Sequence, residues 1–246
     1  MQQFLTKTVR EIALEAPKTT RVFEEYKIDY CCHGDTPFRD ACQRIGADPD
    51  VVMHKIDDLL EADELNESVR HTERSLTDLV DHLLSTHHVY TKNEIENLTP
   101  LMAKVASRHG EHYPYLLELK SKFQQVCDDL GPHMMKEEMV LFPYIVELER
   151  NHALRISGRG PAFGTVSNPV RMMQIEHEEV GELLATMREL TNDYSLPDGA
   201  CPSFTALYHR LGDFERDLHE HIHLENNLLF PRAIQLEEKV LSAALL

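Results

Sequence analysis

The chain has 246 residues, 42% of them hydrophobic and 27% charged, so it is long enough for one large domain or for a small and a medium one. Asp and Glu outnumber Lys and Arg by 42 to 25, and the formal net charge of −17 argues against nucleic acid and anionic membrane surfaces as partners. No apolar run is long enough to span a membrane or to form a signal peptide, and five cysteines stand at irregular spacing, so we expect a cytoplasmic protein with reduced thiols.

The local signals predict an all-α protein, because capping residues and prolines mark helix starts and alternating β-branched runs are absent. Residues 1–66 predict a small domain of four short helices around a turn with the sequence DYCCHG, residues 29–34. Thr8 and Glu11 have the spacing of a capping box. Three prolines stand where a first helical turn accepts them: Pro17, Pro37 and Pro49.

Two adjacent cysteines, Cys31 and Cys32, lie in the DYCCHG turn. Their Cα atoms are about 3.8 Å apart across a trans peptide, whereas a relaxed disulfide prefers about 4.4 to 6.8 Å. A bridge between them would be strained and easily reduced, so the pair suits a redox couple or thiolate ligation of a soft metal. The alternative is that two buried thiols simply fill space as small hydrophobic groups.

Residues 67–246 predict a second domain, a bundle of four long helices joined to the first domain by the acidic stretch 61–73. Apolar residues recur there at the three- and four-residue spacing of a bundle seam. The second bundle helix turns one row inward: Leu116, Leu119, Phe123, Val126, Leu130, His133, Glu137, Val140 and Tyr144. The corresponding row of the third is Val170, Met173, His177, Val180, Leu184 and Met187. That of the fourth is Phe204, Leu207, Leu211, Phe214, Leu218, His221, Glu225 and Leu228.

The first bundle helix has two possible inward rows. One contains Leu84, His88, Thr91, Ile95, Leu98, Met102 and Val105, and its rival contains Leu76, Val80, Leu83 and His87. The string H-x3-E-x4-F-P occurs twice, starting at His133 and at His221, 88 residues apart. An inward histidine precedes each copy by 45 or 44 residues if His88 and His177 are chosen, which favours His88 and a pseudo-symmetric bundle of two helix pairs.

The predicted core positions of Glu137 and Glu225 call for a positive charge, because no Arg or Lys shares their rows and an unpaired buried carboxylate is unstable. A single inward histidine is more often an ordinary core residue, but four histidines and two glutamates in register indicate a metal centre. These six ligands exceed what one tetrahedral zinc needs and suit a dinuclear iron or manganese centre with bridging glutamates and open positions. The neighbouring Glu138 and Glu176 are candidates for supporting roles.

The motifs DYCCHG, DAC at residues 40–42, HMMKEE from His133 and HIHLENNLLFPRA from His221 resemble those of the iron-sulfur cluster repair di-iron proteins, the RIC family, over nearly the whole chain. The resemblance implies a small vicinal-cysteine domain followed by a hemerythrin-like up-down four-helix bundle. It implies two non-haem iron ions, bridged by carboxylates and by oxide or hydroxide, on six ligands: His88, His133, Glu137, His177, His221 and Glu225. It also implies repair of iron-sulfur clusters damaged by nitric oxide or peroxide, with damaged cluster proteins as partners, and a homodimer. On the repair hypothesis, Cys31 and Cys32 would handle iron or electrons on their way to the damaged cluster.

Two departures and two other functions stay open at this stage. His33 stands where many relatives have glycine, and Gly131–Pro132 falls where a continuous helix is expected, which predicts a kink or a restart before His133. A hemerythrin-like module that binds or senses nitric oxide or dioxygen is one alternative function. A di-iron nitric oxide reductase is the other.

Overall fold

The computed structural model describes residues 4–61, 71–156 and 161–243. Within these ranges all regular structure is helical, apart from one isolated antiparallel bridge between Thr8 and Pro37, so the all-α prediction is confirmed. Among the described residues, no helix is both long and apolar enough to span a membrane.

The chain forms two compact units. The first contains Met1–Ser75 and Ile222–Arg232, and the second contains Leu76–His221 and Ala233–Leu246. The final long helix therefore contributes residues to both units. The predicted domain boundary after residue 66 lies outside the described residues.

The first unit contains the four predicted short helices: α1 Val9–Glu15, α2 Thr20–Tyr26, α3 Phe38–Arg44 and α4 Pro49–Glu61. Short 3₁₀ turns at Phe4–Thr6 and Pro17–Thr19 accompany them. Thr8 and Glu11 form the capping box in both directions, because each side chain accepts a hydrogen bond from the backbone N–H of the other residue. A buried cluster that includes Ile12, Phe23 and Phe38 fills the space between the helices.

From Leu76 onward, the described residues form long helical rods interrupted by wider π-helical turns, and the Ile222–Arg232 part of the last rod belongs to the first unit. The α-helices are α5 Leu76–His82, α6 Val89–His109, α7 Tyr115–Lys136, α8 Phe142–Leu154, α9 Ser167–Leu190, α10 Pro202–Leu224 and α11 Phe230–Ala243. The π-turns are π1 Leu83–His88, π2 Glu137–Leu141 and π3 Glu225–Leu229, and each joins two α-helices without a break. α9 alone forms a rod without such a turn, so four rods make the bundle.

The π1 turn reconciles the two rival rows of the first bundle helix. Up to His87, all four residues of the rival row are buried: Leu76, Val80, Leu83 and His87. From His88, the last residue of π1, onward, buried residues come from the other row: His88, Thr91, Leu98, Met102 and Val105. A π-turn adds one residue to the helix and rotates everything beyond it, so both rows face inward on opposite sides of π1.

The π2 turn overturns two core assignments in the second bundle helix. Val140 is 48% exposed and Tyr144 is only half-buried, whereas Leu141 and Ile145 are buried at 1% and 0%, so the inward row lies one residue later than predicted. The reason is the extra residue that π2 inserts after Glu137. Of the kink or restart expected at Pro132, the restart is wrong, because α7 continues through that proline to Lys136, and the kink stays a prediction. The inward rows of α9 and α10 are buried as predicted.

Candidate metal centre

The bundle brings five of the predicted ligands into two overlapping groups. Potential ligand atoms of His88, Glu137 and His221 lie within 4.8 Å of one another, and so do those of His133, Glu137 and His177. Glu137 belongs to both groups. Its Oε2 lies 3.5 Å from His88 Nε2, and its Oε1 lies 3.3 Å from His133 Nε2. One carboxylate therefore stands between two clusters of imidazoles.

The environment of Glu137 fits a cation. The side chain is fully buried, and neither of its oxygens has a hydrogen-bond partner among the described residues. In addition, His133 and His177 direct their Nε2 atoms at each other, 3.0 Å apart. A buried carboxylate without hydrogen bonds is unstable unless a positive charge lies beside it, and converging imidazole nitrogens supply the remaining ligands that a metal ion needs.

Glu225 is placed by the helix that carries His221. It follows His221 by four residues along the continuous α10–π3 rod and is fully buried. Residues four apart lie on the same helical face, so the rod presents the two side chains together.

The three π-turns coincide with predicted ligands. His88 is the last residue of π1, Glu137 is the first residue of π2, and Glu225 is the first residue of π3. π-turns occur frequently at functional sites because the additional residue redirects a side chain that a regular helix would point elsewhere. His177, in contrast, lies in the uninterrupted α9.

Two of the histidines, His88 and His133, each have a glutamate carboxylate beside Nδ1, the ring nitrogen that faces away from Glu137. Glu138 Oε1 lies 2.8 Å from His88 Nδ1 and accepts a hydrogen bond from Lys92 Nζ at 2.6 Å. Burial raises the pKa of Glu138, but the hydrogen bonds from Lys92 and His88 outweigh burial and hold it below its ordinary value. The carboxylate thus remains charged, fixes the ring and leaves Nε2 directed inward.

The second supporting pair repeats this arrangement around His133. Glu176 Oε2 lies 2.8 Å from His133 Nδ1, and Lys136 Nζ is paired with the other oxygen of Glu176. Burial again raises the pKa of the carboxyl, and the bonds from Lys136 and His133 lower it by more. The candidates Glu138 and Glu176 therefore both contact a histidine, whereas the sequence alone could not distinguish them from exposed helical glutamates.

His87 lies beside the groups but in neither of them. It is buried, its Nδ1 lies 3.1 Å from Asp217 Oδ1, and its ring stacks on that of His221 with 5.6 Å between centroids. His88, which the repeat favoured, is the one whose Nε2 faces Glu137.

The two adjacent cysteines lie in the first unit, in the loop between α2 and α3. Cys31 is buried, Cys32 is half-buried, and the two are not joined in a disulfide, since their sulfurs are 3.7 Å apart. The hydrogen bond with Cys32 and burial both raise the pKa of Cys31 well above its usual range. Gly34 closes the loop, since a Cβ at this position would lie 2.9 Å from the carbonyl oxygen of Tyr30.

Two asparagines that the sequence analysis did not single out anchor this loop. Asn227 Nδ2 donates to the carbonyl oxygen of Tyr30 at 3.0 Å and to that of Cys31 at 3.4 Å. Asn226 Nδ2 donates to the same Cys31 oxygen at 3.4 Å. Both asparagines are buried and belong to π3, directly after Glu225. Their place next to a predicted ligand in the string LENN is the signal that could have identified them.

Comparison with known proteins decides the family. Residues 79–233 match the Hemerythrin HHE cation binding domain, and residues 5–60 match the ScdA_N domain, a domain of unknown function. The iron-sulfur cluster repair protein ScdA of Staphylococcus haemolyticus is 32% identical over 90% of this chain and 95% of its own length. The iron-sulfur cluster repair protein YtfE of Dickeya chrysanthemi is 34% identical over 92% of this chain and 96% of its own. A probable iron-sulfur cluster repair protein of Haemophilus influenzae is 31% identical over 94% and 98%.

The chain belongs to the iron-sulfur cluster repair family. The predicted resemblance is therefore confirmed, as is the combination of a small amino-terminal helical domain with a hemerythrin-like bundle. Within this family, the cation-binding domain covers the residues that form the two groups around Glu137. The donor set has imidazole and carboxylate groups and no thiolate, which suits non-haem iron.

Proposed function

We propose that this protein repairs iron-sulfur clusters damaged by nitrosative or oxidative stress, with a non-haem di-iron centre as iron donor or redox agent. The observation that carries the proposal is the buried carboxylate of Glu137, without hydrogen bonds from the described residues, between two groups of histidines. The names of the curated relatives support the choice of repair among the functions that such a centre could serve.

In this proposal, six side chains hold two iron ions: His88, His133, Glu137, His177, His221 and Glu225. Glu137 and Glu225 would be the carboxylates shared by the two ions, and Glu138 and Glu176 orient the rings of His88 and His133. Bound iron would supply removable Fe²⁺ or single electrons, and six protein ligands leave positions where a small exogenous ligand can bind.

Cys31 and Cys32 carry iron or electrons toward the damaged cluster in this proposal. The structure of the loop supports this role, because it keeps the two thiols adjacent without a disulfide and is held in place by a hydrogen bond from Asn227. The partners are then proteins with damaged clusters. We also assign the protein to the cytoplasm and to a homodimer, which fractionation of cells and a mass measurement in solution can test.

The decisive experiment measures iron and its transfer. Protein from iron-replete cells should contain two iron ions per chain, with a Mössbauer spectrum of coupled high-spin iron, and should restore the activity of a cluster-damaged ferredoxin or dehydratase. Glu137→Gln should lose iron and repair while its circular dichroism stays unchanged, because the apolar rows supply most of the packing. Full repair by an iron-free preparation would refute the proposal.

Nitric oxide or dioxygen chemistry is the second candidate function, and the open ligand positions favour it. A binding module should take up either gas reversibly, and a nitric oxide reductase should turn over with a chemical reductant. If the Cys31→Ser, Cys32→Ser double variant kept full biological activity and dioxygen bound reversibly, the binding module would replace repair.

A further inference from the structure

The loop Asp29–His33 gathers two sulfurs and a carboxylate around one point. Asp29 Oδ1 accepts hydrogen bonds from the backbone N–H groups of Cys31 at 3.1 Å, Cys32 at 2.9 Å and His33 at 3.3 Å. These bonds wrap the chain around the aspartate, so both thiols lie on its side of the loop. A carboxylate oxygen of Asp29 and the two sulfurs all lie within 4.8 Å of one another.

The separation of the sulfurs matches a metal chelate. Cys31 Sγ and Cys32 Sγ are 3.7 Å apart. A disulfide requires about 2.05 Å. Two thiolates that bind one tetrahedral ion, each at about 2.3 Å, are about 3.8 Å apart. The loop therefore holds the sulfurs at the distance that a shared ion needs, and adjacent cysteines reach this distance without forming a bond.

We propose that Asp29, Cys31 and Cys32 chelate one thiophilic divalent ion of the Fe²⁺ or Zn²⁺ type, at a site separate from the bundle centre. Binding replaces the thiol protons: two S–H groups become two metal-bound thiolates, the protons pass to solvent, and no oxidant or reductant takes part. Three protein ligands leave the fourth tetrahedral position open to solvent or to an incoming ligand.

The surroundings of the loop support this site. Burial raises the pKa of Asp29, but its bonds with His33 and with the Cys32 N–H outweigh burial and keep it below its ordinary value, so the carboxylate is charged at neutral pH. His33 Nδ1 lies 2.6 Å from Asp29 Oδ2 and orients that oxygen. Asn227 fixes the loop from the other side through the carbonyl oxygens of Tyr30 and Cys31. The ligands are thus held in place before an ion arrives.

The proposed metal site at Asp29, Cys31 and Cys32 does not depend on the repair activity. Only the idea that this site passes iron to a damaged cluster rests on the proposed function. An open, three-ligand thiolate site suits an ion in transit better than a structural ion, because structural sites of this kind close with four protein ligands.

Cobalt is the probe for the test, because Co²⁺ bound to thiolates has an intense near-ultraviolet charge-transfer band that nitrogen and oxygen ligands do not produce. Reduced full-length protein with no more than two iron ions per chain, the number that the bundle centre takes, is titrated with Co²⁺ under nitrogen. We expect the band to saturate at one equivalent, with proton release in unbuffered solution. Cys31→Ser and Cys32→Ser should abolish it, and the matched control Cys127→Ser should keep it. Asp29→Asn keeps an oxygen for the loop N–H groups and removes the charge, so it should weaken binding at least tenfold.

The readouts separate the chelate from the proposed function. A missing band in the wild type, or a band that persists in both cysteine variants with unchanged circular dichroism, overturns the chelate even if repair is observed. Cys32→Ser keeps this test usable if Cys31→Ser fails to fold, because Cys32 is half-exposed. A normal band without repair of damaged clusters overturns the proposed function and supports the chelate.

Discussion

Replacing Glu138 by Gln should loosen one of the two proposed iron ions and leave the other in place. The carboxylate of Glu138 holds His88 Nδ1 at 2.8 Å, and His88 belongs to only one of the two groups around Glu137. Gln has the same shape and can still accept a hydrogen bond, so the substitution removes the charge and little else. Glu176→Gln does the same at His133, in the other group.

The expected size of the effect follows from the change in hydrogen-bond type. A bond to a charged group contributes about 1.5 to 3 kcal/mol and a neutral bond about 0.5 to 1.5 kcal/mol, so each substitution costs roughly 1 to 2 kcal/mol. Since about 1.4 kcal/mol is tenfold in affinity, each ion should bind roughly 5 to 30 times more weakly. This range overlaps the 10- to 100-fold losses typical of partners that orient a metal-binding histidine.

The assay is the removal of iron by a colourless chelator that forms a coloured iron complex. Wild-type protein should lose both ions slowly, and each single variant should show a fast phase of half the amplitude followed by a slow phase. The double variant should release both ions fast. Glu178→Gln is the matched control, because Glu178 is an exposed glutamate in α9, two residues after Glu176.

A single phase of full amplitude in Glu138→Gln would refute the assignment of one supporting carboxylate to each ion. Unchanged kinetics in the double variant would refute the orienting role altogether. Circular dichroism distinguishes both outcomes from unfolding.

Three further predictions follow from the packing. Burial raises the pKa of Cys42 to about 11 and that of Cys127 to about 12. Iodoacetamide should therefore alkylate both thiols slowly at pH 8 and faster as the pH rises, as mass spectrometry of peptides would show. Rapid labelling at pH 8 would contradict these raised pKa values. Leu211→Ala should lower the free energy of unfolding by about 2 to 5 kcal/mol in urea titrations, because Leu211 is fully buried in the bundle core, and a loss below 1 kcal/mol would argue against that packing. Deletion of the exposed Val140 should convert π2 into a regular α-helical turn and leave Leu141 and Ile145 facing the core. The helical content should then persist while the metal content falls. Unchanged metal content would show that π2 does not position Glu137.

The sequence predicted the fold where a regular period governs the burial of side chains. The row from Val170 to Met187 in α9 is buried as predicted, because no π-turn interrupts that helix. The row that ended in Val140 and Tyr144 failed beyond Glu137, where the period itself changes. A π-turn depends on the packing of neighbouring rods and on the side chains they must place, and neither can be inferred from the hydrophobic period of one helix.

The site was predictable to the level of residue identity and not to the level of its supporting contacts. His133, Glu137 and His221 could be found because they repeat in a string with fixed spacing. Glu176 and His133 are 43 residues apart along the chain and lie on two helices whose relative rotation the sequence does not specify, so their pairing could not be predicted. The hydrogen bond from Asn227 to Tyr30 spans 197 residues, so local reasoning had no means of pairing them.

The position of the two asparagines has a consequence for how the family can vary. Glu225, Asn226 and Asn227 are consecutive in π3, so the turn that carries the predicted ligand Glu225 also carries the two asparagines that hydrogen-bond to the thiol loop. Losing a single codon there would rotate all three side chains at once. Such a deletion would therefore disturb a predicted metal ligand and the anchoring of the two adjacent cysteines in a single step.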